Sequence, residues 1–482
     1  MSKYAAALDF GSSKVALSVG EQTSGGIRIV SYHDAPSAGI ECGEIVNDFK
    51  VKEIVASLIR QAEEDIHEPI TTVTVGLSGR VLHSMDLPCQ ITRTDAKAYI
   101  TKDEVRQITR ARYKVALEND ETVFEAVPQK YSTEDRIGIT QDELIGMVGG
   151  EIDADFKIFY GRKSILSRRI TVLEECGLTL GKAILNPIAS ARAVLTRPEM
   201  ENGVALVDIG KSTTEVAIVK DNIVRQAAII PFGGESVTVD IKTVTNITRE
   251  WAETIKLLHG RCCEEYAVEN KKLVLKNESE SSDGEVELSL LVRTIEARLS
   301  EILDAVRYVI DQSGYASKIT AGVVITGGVS HHEDLIQLAG ALLGQKIRLA
   351  APASIDKDSV EDAFDVYAAT SVGLVQETLE PLLSHAVEYK HDETPAATAP
   401  ASGSTLFNDK PEVAEDDRPS AREERERRKE EERKAKEERK QQEALRKQME
   451  AKRKEEERKR RQAEKENQPS FFDMFFSKDD KA

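Results

Sequence analysis

The sequence predicts an α/β fold built from two related halves, and three observations carry that prediction. Short apolar, strand-like runs at 4–8, 73–77, 204–207 and 321–325 alternate with amphipathic helical stretches such as 51–64 and 290–312. The 482 residues exceed what one hydrophobic core holds, because single cores stop growing near roughly 250–300 residues. A strand–turn–strand unit also occurs twice. The first copy is Ala7-Leu8-Asp9-Phe10-Gly11-Ser12-Ser13-Lys14-Val15-Ala16-Leu17, and the second is Leu206-Val207-Asp208-Ile209-Gly210-Lys211-Ser212-Thr213-Thr214-Glu215-Val216. Both read apolar-apolar-Asp-apolar-Gly-x-Ser and return into a strand.

Each part of that repeat has a chemical reading. A hairpin tip rich in Gly, Ser and Thr can aim backbone N–H groups and hydroxyls at a phosphate, with Gly allowing close approach. An Asp at each strand end suits Mg²⁺ held through water, since that ion keeps much of its hydration shell. One such turn is ordinary loop chemistry; two in matching contexts predict a clamp around one polyphosphate. A third element, Val323-Val324-Ile325-Thr326-Gly327-Gly328-Val329-Ser330, is another buried strand closed by a glycine pair, with a helix expected from about Glu333.

Other patterns exclude function classes. Gly177-Leu178-Thr179-Leu180-Gly181-Lys182-Ala183 has one residue too few between its glycines for a P-loop and no Ser or Thr after Lys182, so it reads as a turn. His331-His332-Glu333-Asp334 reads as helix capping rather than a metal site. No Ser-His-Asp or Cys-His arrangement stands out. The five cysteines include no C-x-x-C pair, which predicts a reducing compartment and no disulfide framework. A secretory leader is not expected, and no apolar run approaches the roughly 18–20 residues of a spanning helix.

Charge divides the chain. Its formal net charge is −18, which disfavours nucleic acid, yet residues 421–468 hold 20 Lys+Arg against 15 Asp+Glu. That stretch is basic and the remainder strongly acidic. Residues 384–420 turn to Ala, Pro, Thr, Ser, Asp and Glu and read as a flexible linker. Over 421–468 a solvent-exposed helix carried by Glu–Lys/Arg pairs and a solvated charged tail both fit, while a coiled coil lacks its apolar seam. Then Phe471, Phe472, Met474, Phe475 and Phe476 would share one broad helical face. Burying four phenylalanines yields several kcal/mol at about 1.5–3 kcal/mol each, so this segment, 469–482, suits a membrane surface or a protein groove.

The two phosphate-type turns, Thr326-Gly327-Gly328, the segment Ile230-Pro231-Phe232-Gly233-Gly234-Glu235-Ser236 and the stretch Ala252-Glu253-Thr254-Ile255-Lys256-Leu257-Leu258-His259-Gly260 together resemble the actin/Hsp70 superfamily, and within it the FtsA family of bacterial division proteins. The resemblance runs from Tyr4 to about Leu379. It implies an actin-like, ribonuclease H-like duplicated fold with two lobes around a nucleotide cleft. The implied subdomains are 1A at 1–84 and 161–200, an inserted 1C at 85–160, 2A at 201–235 and 303–383, and 2B at 236–302. ATP and Mg²⁺ are the implied cofactors. Asp9, Gly11, Ser12, Ser13 and Lys14 would form the first phosphate loop, and Asp208, Gly210, Ser212 and Thr213 the second, with Asp9 and Asp208 toward the metal. Gly233 and Gly234 would lie near the phosphates or hinge, Glu253 and Lys256 near ribose and base, and Gly327 and Gly328 under the adenosine. The implied partners are the C-terminal peptide of FtsZ, docking around 236–302, further copies of the chain in filaments, inner-membrane lipid bound from the cytoplasmic side, and later division proteins. The implied role is a scaffold with at most slow ATP turnover. One departure stands out: Lys211 and Ser212 replace two glycines usual in the family's second loop, so Lys211 either pairs with phosphate or crowds the backbone's approach. The same clamp serves actin-fold phosphotransferases, chaperone ATPases and pilus-assembly adaptors; after residue 383 no β-rich peptide-binding pattern of a chaperone follows.

Overall fold

The computed structural model describes residues 3–263, 271–276, 282–332 and 334–389. The charged tail at 421–468, most of the predicted linker and the segment with Phe471, Phe472, Met474, Phe475 and Phe476 lie outside the described residues.

Two five-stranded sheets repeat one topology. The first runs Thr179–Leu185, Thr72–Leu77, Ala5–Phe10, Lys14–Thr23, Gly26–Pro36, and the second runs Ile347–Leu349, Val323–Thr326, Val204–Ile209, Thr214–Lys220, Ile223–Ile230. In each, the last three strands form an antiparallel meander and the first two add in parallel. Continuous apolar runs explain this burial: Ala5–Phe10 and Val204–Ile209 are buried at every position except the Asp, as strands covered on both faces must be. The duplicated actin-like arrangement expected from the sequence is therefore the one observed.

The halves differ in what they insert. Between the strand Thr72–Leu77 and the helix Lys163–Glu175 stands a three-stranded antiparallel sheet ordered His83–Thr92, Glu151–Arg162, Glu121–Ser132. The helix Lys102–Arg112, capped by the Thr101 hydroxyl on the Glu104 N–H, packs against it. Its own core contains Tyr131, Leu144, Phe156 and Ile158. In the second half the connection from meander to parallel strand carries the helices Gly234–Thr245, Arg249–His259 and Leu288–Gln312 with the small hairpin Lys272–Lys276 and Ser282–Glu287.

Two local expectations change. Asp334 begins the helix Leu335–Leu343 but its side chain does not cap it. Its carboxylate instead accepts two bonds from Arg261, at 2.7 and 2.9 Å, because an ion pair outcompetes a local cap once the two segments meet. Gly177 makes the predicted turn, but Gly181-Lys182-Ala183 continues as the irregular edge strand Thr179–Leu185.

Residues 384–389, expected within the linker, are bound into the body. The Glu377 carboxylate accepts the backbone N–H groups of Leu382, Leu383 and Ser384, each at 3.0 Å. Glu125 of the inserted sheet accepts the Ser384 hydroxyl and the His385 N–H, both at 2.8 Å, and the Tyr113 hydroxyl at 3.0 Å. Composition alone misses this because the cost of burying these polar groups is offset by partners far away in sequence.

Candidate functional site

The two Asp-Gly turns face one cleft of about 330 Å³. Its floor is the helix Asn186–Val194, buried along its whole length. Two polar side chains four residues apart, hence on one helical face, serve the two halves: the Asn186 amide donates to Asp9 Oδ1 at 3.1 Å, and the Ser190 hydroxyl donates to Asp208 Oδ2 at 2.9 Å. Asn186 Oδ1 is buried without a hydrogen-bond partner, an acceptor aimed at nothing the protein supplies.

The first turn, Gly11 to Ser13, is held from outside the hairpin: Ser12 Oγ accepts the Gly43 N–H at 3.1 Å, and Ser13 O accepts the Ser37 N–H at 2.9 Å. Lys14 lines the cleft, yet its ammonium pairs with Asp34 and the Tyr32 hydroxyl. In the second turn, Gly210 O and Lys211 O accept the Gly234 and Glu235 N–H groups, at 2.9 and 2.7 Å. The turn thereby satisfies two of the first, otherwise orphaned, donors of the helix Gly234–Thr245. Gly327, at φ +87°, passes close beneath Asp208: a β-carbon there would lie 2.4 Å from Asp208 Oδ1, so no other residue fits without displacing that carboxylate.

Electrostatically the cleft is strained. Burial, then the Asp208 charge, pushes the Asp9 carboxyl up to about 6. Burial likewise raises Asp208, and burial with the Asp208 charge raises Glu215 well above the usual carboxylate range. Glu215 stands directly across the hairpin from Asp208, in the place Ala16 holds opposite Asp9, and accepts the Ser78 hydroxyl from the first half. Three buried carboxylates raised above their ordinary range, two of them in part by the Asp208 charge, are a receptive environment for a cation. Among the described residues no set of three or more His, Cys, Asp or Glu side chains can hold a metal ion unaided, so the donor set fits an ion that also draws on a ligand's own oxygens and water.

At the far end, buried Lys256 donates to Thr238 Oγ1 at 2.8 Å, Glu253 at 2.7 Å and Gly234 O at 3.1 Å. Burial works against the Glu253 charge, but bonds from Lys256 and Thr238 hold its carboxyl below the ordinary range. Arg249 and Glu235 form a two-bond pair on the rim, and the Tyr367 ring covers Gly328.

Of the residues predicted from sequence, Asp9, Gly11, Ser12, Ser13, Lys14, Asp208, Gly210, Ser212, Thr213, Gly234, Glu253, Lys256, Gly327 and Gly328 all border this cleft. Gly233 does not; it packs behind the second turn, where a β-carbon would meet Gly210 O at 2.5 Å. The sequence reading missed Ser78, Asn186, Glu215, His332 and Tyr367 on the lining, and Ser190 behind it. A signal existed for two of them: Asn186 and Ser190 are spaced i, i+4 in a helix whose other residues, apart from Arg192, are apolar.

Comparison with known proteins gives this geometry a context. A family model described as Cell division protein FtsA matches residues 205–373. The Cell division protein FtsA of Pseudomonas aeruginosa is 28% identical over 407 residues, covering 84% of this chain and 94% of the relative. That of Neisseria meningitidis serogroup B is 28% identical over 352 residues, covering 73% and 84%. The chain is similar to the FtsA family of cell division proteins along most of its length. The FtsA of Escherichia coli K12 is 26% identical over 381 residues, covering 77% of this chain and 90% of the relative. Among solved structures, a chain of the PilM–PilN type IV pilus biogenesis complex superposes with a TM-score of 0.54 at 14% identity, covering 78% of this chain and 99% of its own; that likeness speaks to the fold. The family-model match covers the second half's share of the site, since 205–373 holds the second turn, the helix carrying Glu253 and Lys256, and the glycine pair, while the first turn lies before it. The fold is actin-like, and the sequence likeness is to cell division proteins.

Proposed function

We propose that this FtsA relative binds ATP with Mg²⁺ between its two halves and, so loaded, self-associates into filaments at the cytoplasmic face of the inner membrane, where it anchors FtsZ and recruits later division proteins. The observation that carries the reading is the single cleft onto which both Asp-Gly turns open, its two aspartates bonded to one floor helix. Gly11, Ser12 and Ser13 on one side and Gly210, Ser212 and Thr213 on the other offer N–H groups and hydroxyls to a polyphosphate. Asp9 and Asp208 hold Mg²⁺, largely through water, and the ion neutralises phosphate charge. Glu253 and Lys256 face ribose and base, and the Gly327-Gly328 step leaves room for the adenosine beside Tyr367. Turnover is slow or absent, and the nucleotide acts chiefly by biasing which surface the chain offers to another copy.

No described helix is long and apolar enough to cross a membrane. The tether is assigned to Phe471, Phe472, Met474, Phe475 and Phe476, with the basic run before them attracted to anionic headgroups; FtsZ's C-terminal peptide is assigned to the surface around 236–302. Electron microscopy of the full chain on anionic lipid monolayers tests the whole. Filaments are expected with MgATP and not without it, and their absence in the presence of bound nucleotide refutes the polymer. Replacing the four phenylalanines by Ser should abolish co-sedimentation with anionic liposomes; undiminished pelleting removes the tether.

A further inference from the structure

The inserted three-stranded sheet joins the body at two stems, and both reach the cleft. One stem is Ser78, whose hydroxyl donates to Glu215 of the opposite half. The other is more direct: the strand Glu151–Arg162 passes without a loop into the helix Lys163–Glu175, and that helix carries Arg169 beneath the first turn. Arg169 is 1% exposed. Its guanidinium donates to Ile165 O at 2.6 Å and to Gly43 O at 2.8 Å, and lies 5.4 Å from the centre of the Phe10 ring. Its Nε is buried without a hydrogen-bond partner. Gly43 in turn gives its N–H to Ser12 Oγ at 3.1 Å, inside the first turn. Gly43 has φ +72°, and a β-carbon would lie 2.8 Å from Ser78 Cβ, so the two stems touch through it.

An isolated buried guanidinium is costly, and two carbonyls do not balance it. The charges of Asp9, Glu44 and Glu215 offset part of that cost, while burial still brings the guanidinium down to about 10. Removing this group would leave the carboxylates of the cleft uncompensated on the side of the first turn. Resting on the nucleotide reading above, we propose that Arg169 is a positioning residue for the bound nucleotide. It ties the inserted sheet to the first phosphate turn through Gly43 and Ser12, so that occupancy of the cleft and orientation of the sheet are set together. It touches no ligand itself. Its effect is to fix where the Ser12 hydroxyl stands, and to pass any displacement of that turn into a helix continuous with the strand Glu151–Arg162. Coupling of this kind needs differential contacts in two states, and the Gly43 carbonyl supplies the contact that can differ.

The test compares the full-length chain with Arg169→Met and Arg169→Lys, measuring MgATP affinity by calorimetry and amide hydrogen exchange of the inserted sheet at saturating MgATP. Wild type should bind and show slowed exchange over 151–175. Arg169→Met should bind at least tenfold more weakly and, once saturated, should slow exchange at the two turns but not over 151–162. Arg169→Lys keeps the charge but cannot reach both carbonyls; it should fall between the two, and it serves as the test if the Met variant melts below the assay temperature. Wild-type affinity together with a wild-type exchange response in a folded variant overturns the inference while leaving the nucleotide reading intact. A wild-type chain that does not bind MgATP overturns both, so the two failures are told apart by the unmutated protein.

Discussion

The two halves share one strand order but arm it differently, and the contrast between their turns shows how duplication was put to use. Opposite Asp9 stands Ala16; opposite Asp208 stands Glu215. The first turn is braced from the side by Gly43 and Ser37, and its lysine is held by Asp34 and Tyr32. The second turn is braced from below by the first N–H groups of a helix. The symmetric parts, an Asp and a Gly-Ser turn from each half, are what a clamp on one polyphosphate needs. The asymmetric parts decide which half carries excess negative charge and which is linked to the inserted sheet. A buried carboxylate that lacks a cation destabilises the ligand-free protein, so the second half stores the larger electrostatic cost.

The largest effect that tests this contrast comes from removing the symmetric pair. Asp9→Ala and Asp208→Ala should each weaken MgATP binding by at least about 100-fold in calorimetry, or about 2.7 kcal/mol. Near-normal binding by either variant would break the idea that both halves act on one ligand. Next is the pH dependence of the ligand-free chain. The folded value for Asp9, about 6, stands above its ordinary 3.8, so its contribution to stability is full below about pH 4 and lost as pH rises through about 6. The loss amounts to at most about 3 kcal/mol. Glu125, pushed up to about 7 by burial, extends the decline toward neutrality. Urea midpoints should fall between pH 4 and 7, the Asp9→Asn variant should flatten the lower part of that fall, and Glu125→Gln the upper.

A smaller change should come from Glu215→Gln, which gives the second half a neutral partner opposite its Asp while keeping an acceptor for Ser78. It should stabilise the ligand-free chain by about 1–2 kcal/mol at pH 8, read as a higher melting temperature, and should narrow the gain in melting temperature that MgATP confers. No gain in the ligand-free state would mean Glu215 is compensated in a way the contrast does not include. The smallest effect is expected from Lys14→Met. Because the ammonium is already committed to Asp34, affinity for MgATP should fall less than about tenfold, or about 1.4 kcal/mol; a larger loss would show that Lys14 leaves Asp34 for the ligand.

Much of the site was readable in the sequence because its parts are local. Asp9-Phe10-Gly11 and Asp208-Ile209-Gly210 place a carboxylate, a strand end and a turn within three residues, and the glycine pair at Gly327 declares a close approach. Asn186, Ser190, Glu215 and Arg169 were not readable as site residues, for a common reason. Each sits inside a regular element where a polar residue has many ordinary explanations, and each acquires its role from a residue on another element. Asn186 lies 177 positions from Asp9. The strap at 384–389 escaped for the complementary reason, since its composition is that of a linker and only Glu377 and Glu125 give it a place.

By itself the sequence determined the alternation of strands and helices, the doubled turn, and the split between an acidic body and a basic stretch with a phenylalanine cluster after it. These are properties of neighbours along the chain, where periodicity, turn chemistry and charge act over a few residues. Only the tertiary structure decided that both turns open onto one cleft, that one floor helix bonds both aspartates, and that the inserted sheet reaches the first turn through Arg169. Those facts depend on how helices pack between two sheets, and packing is fixed by the burial of whole faces rather than by any short run of residues.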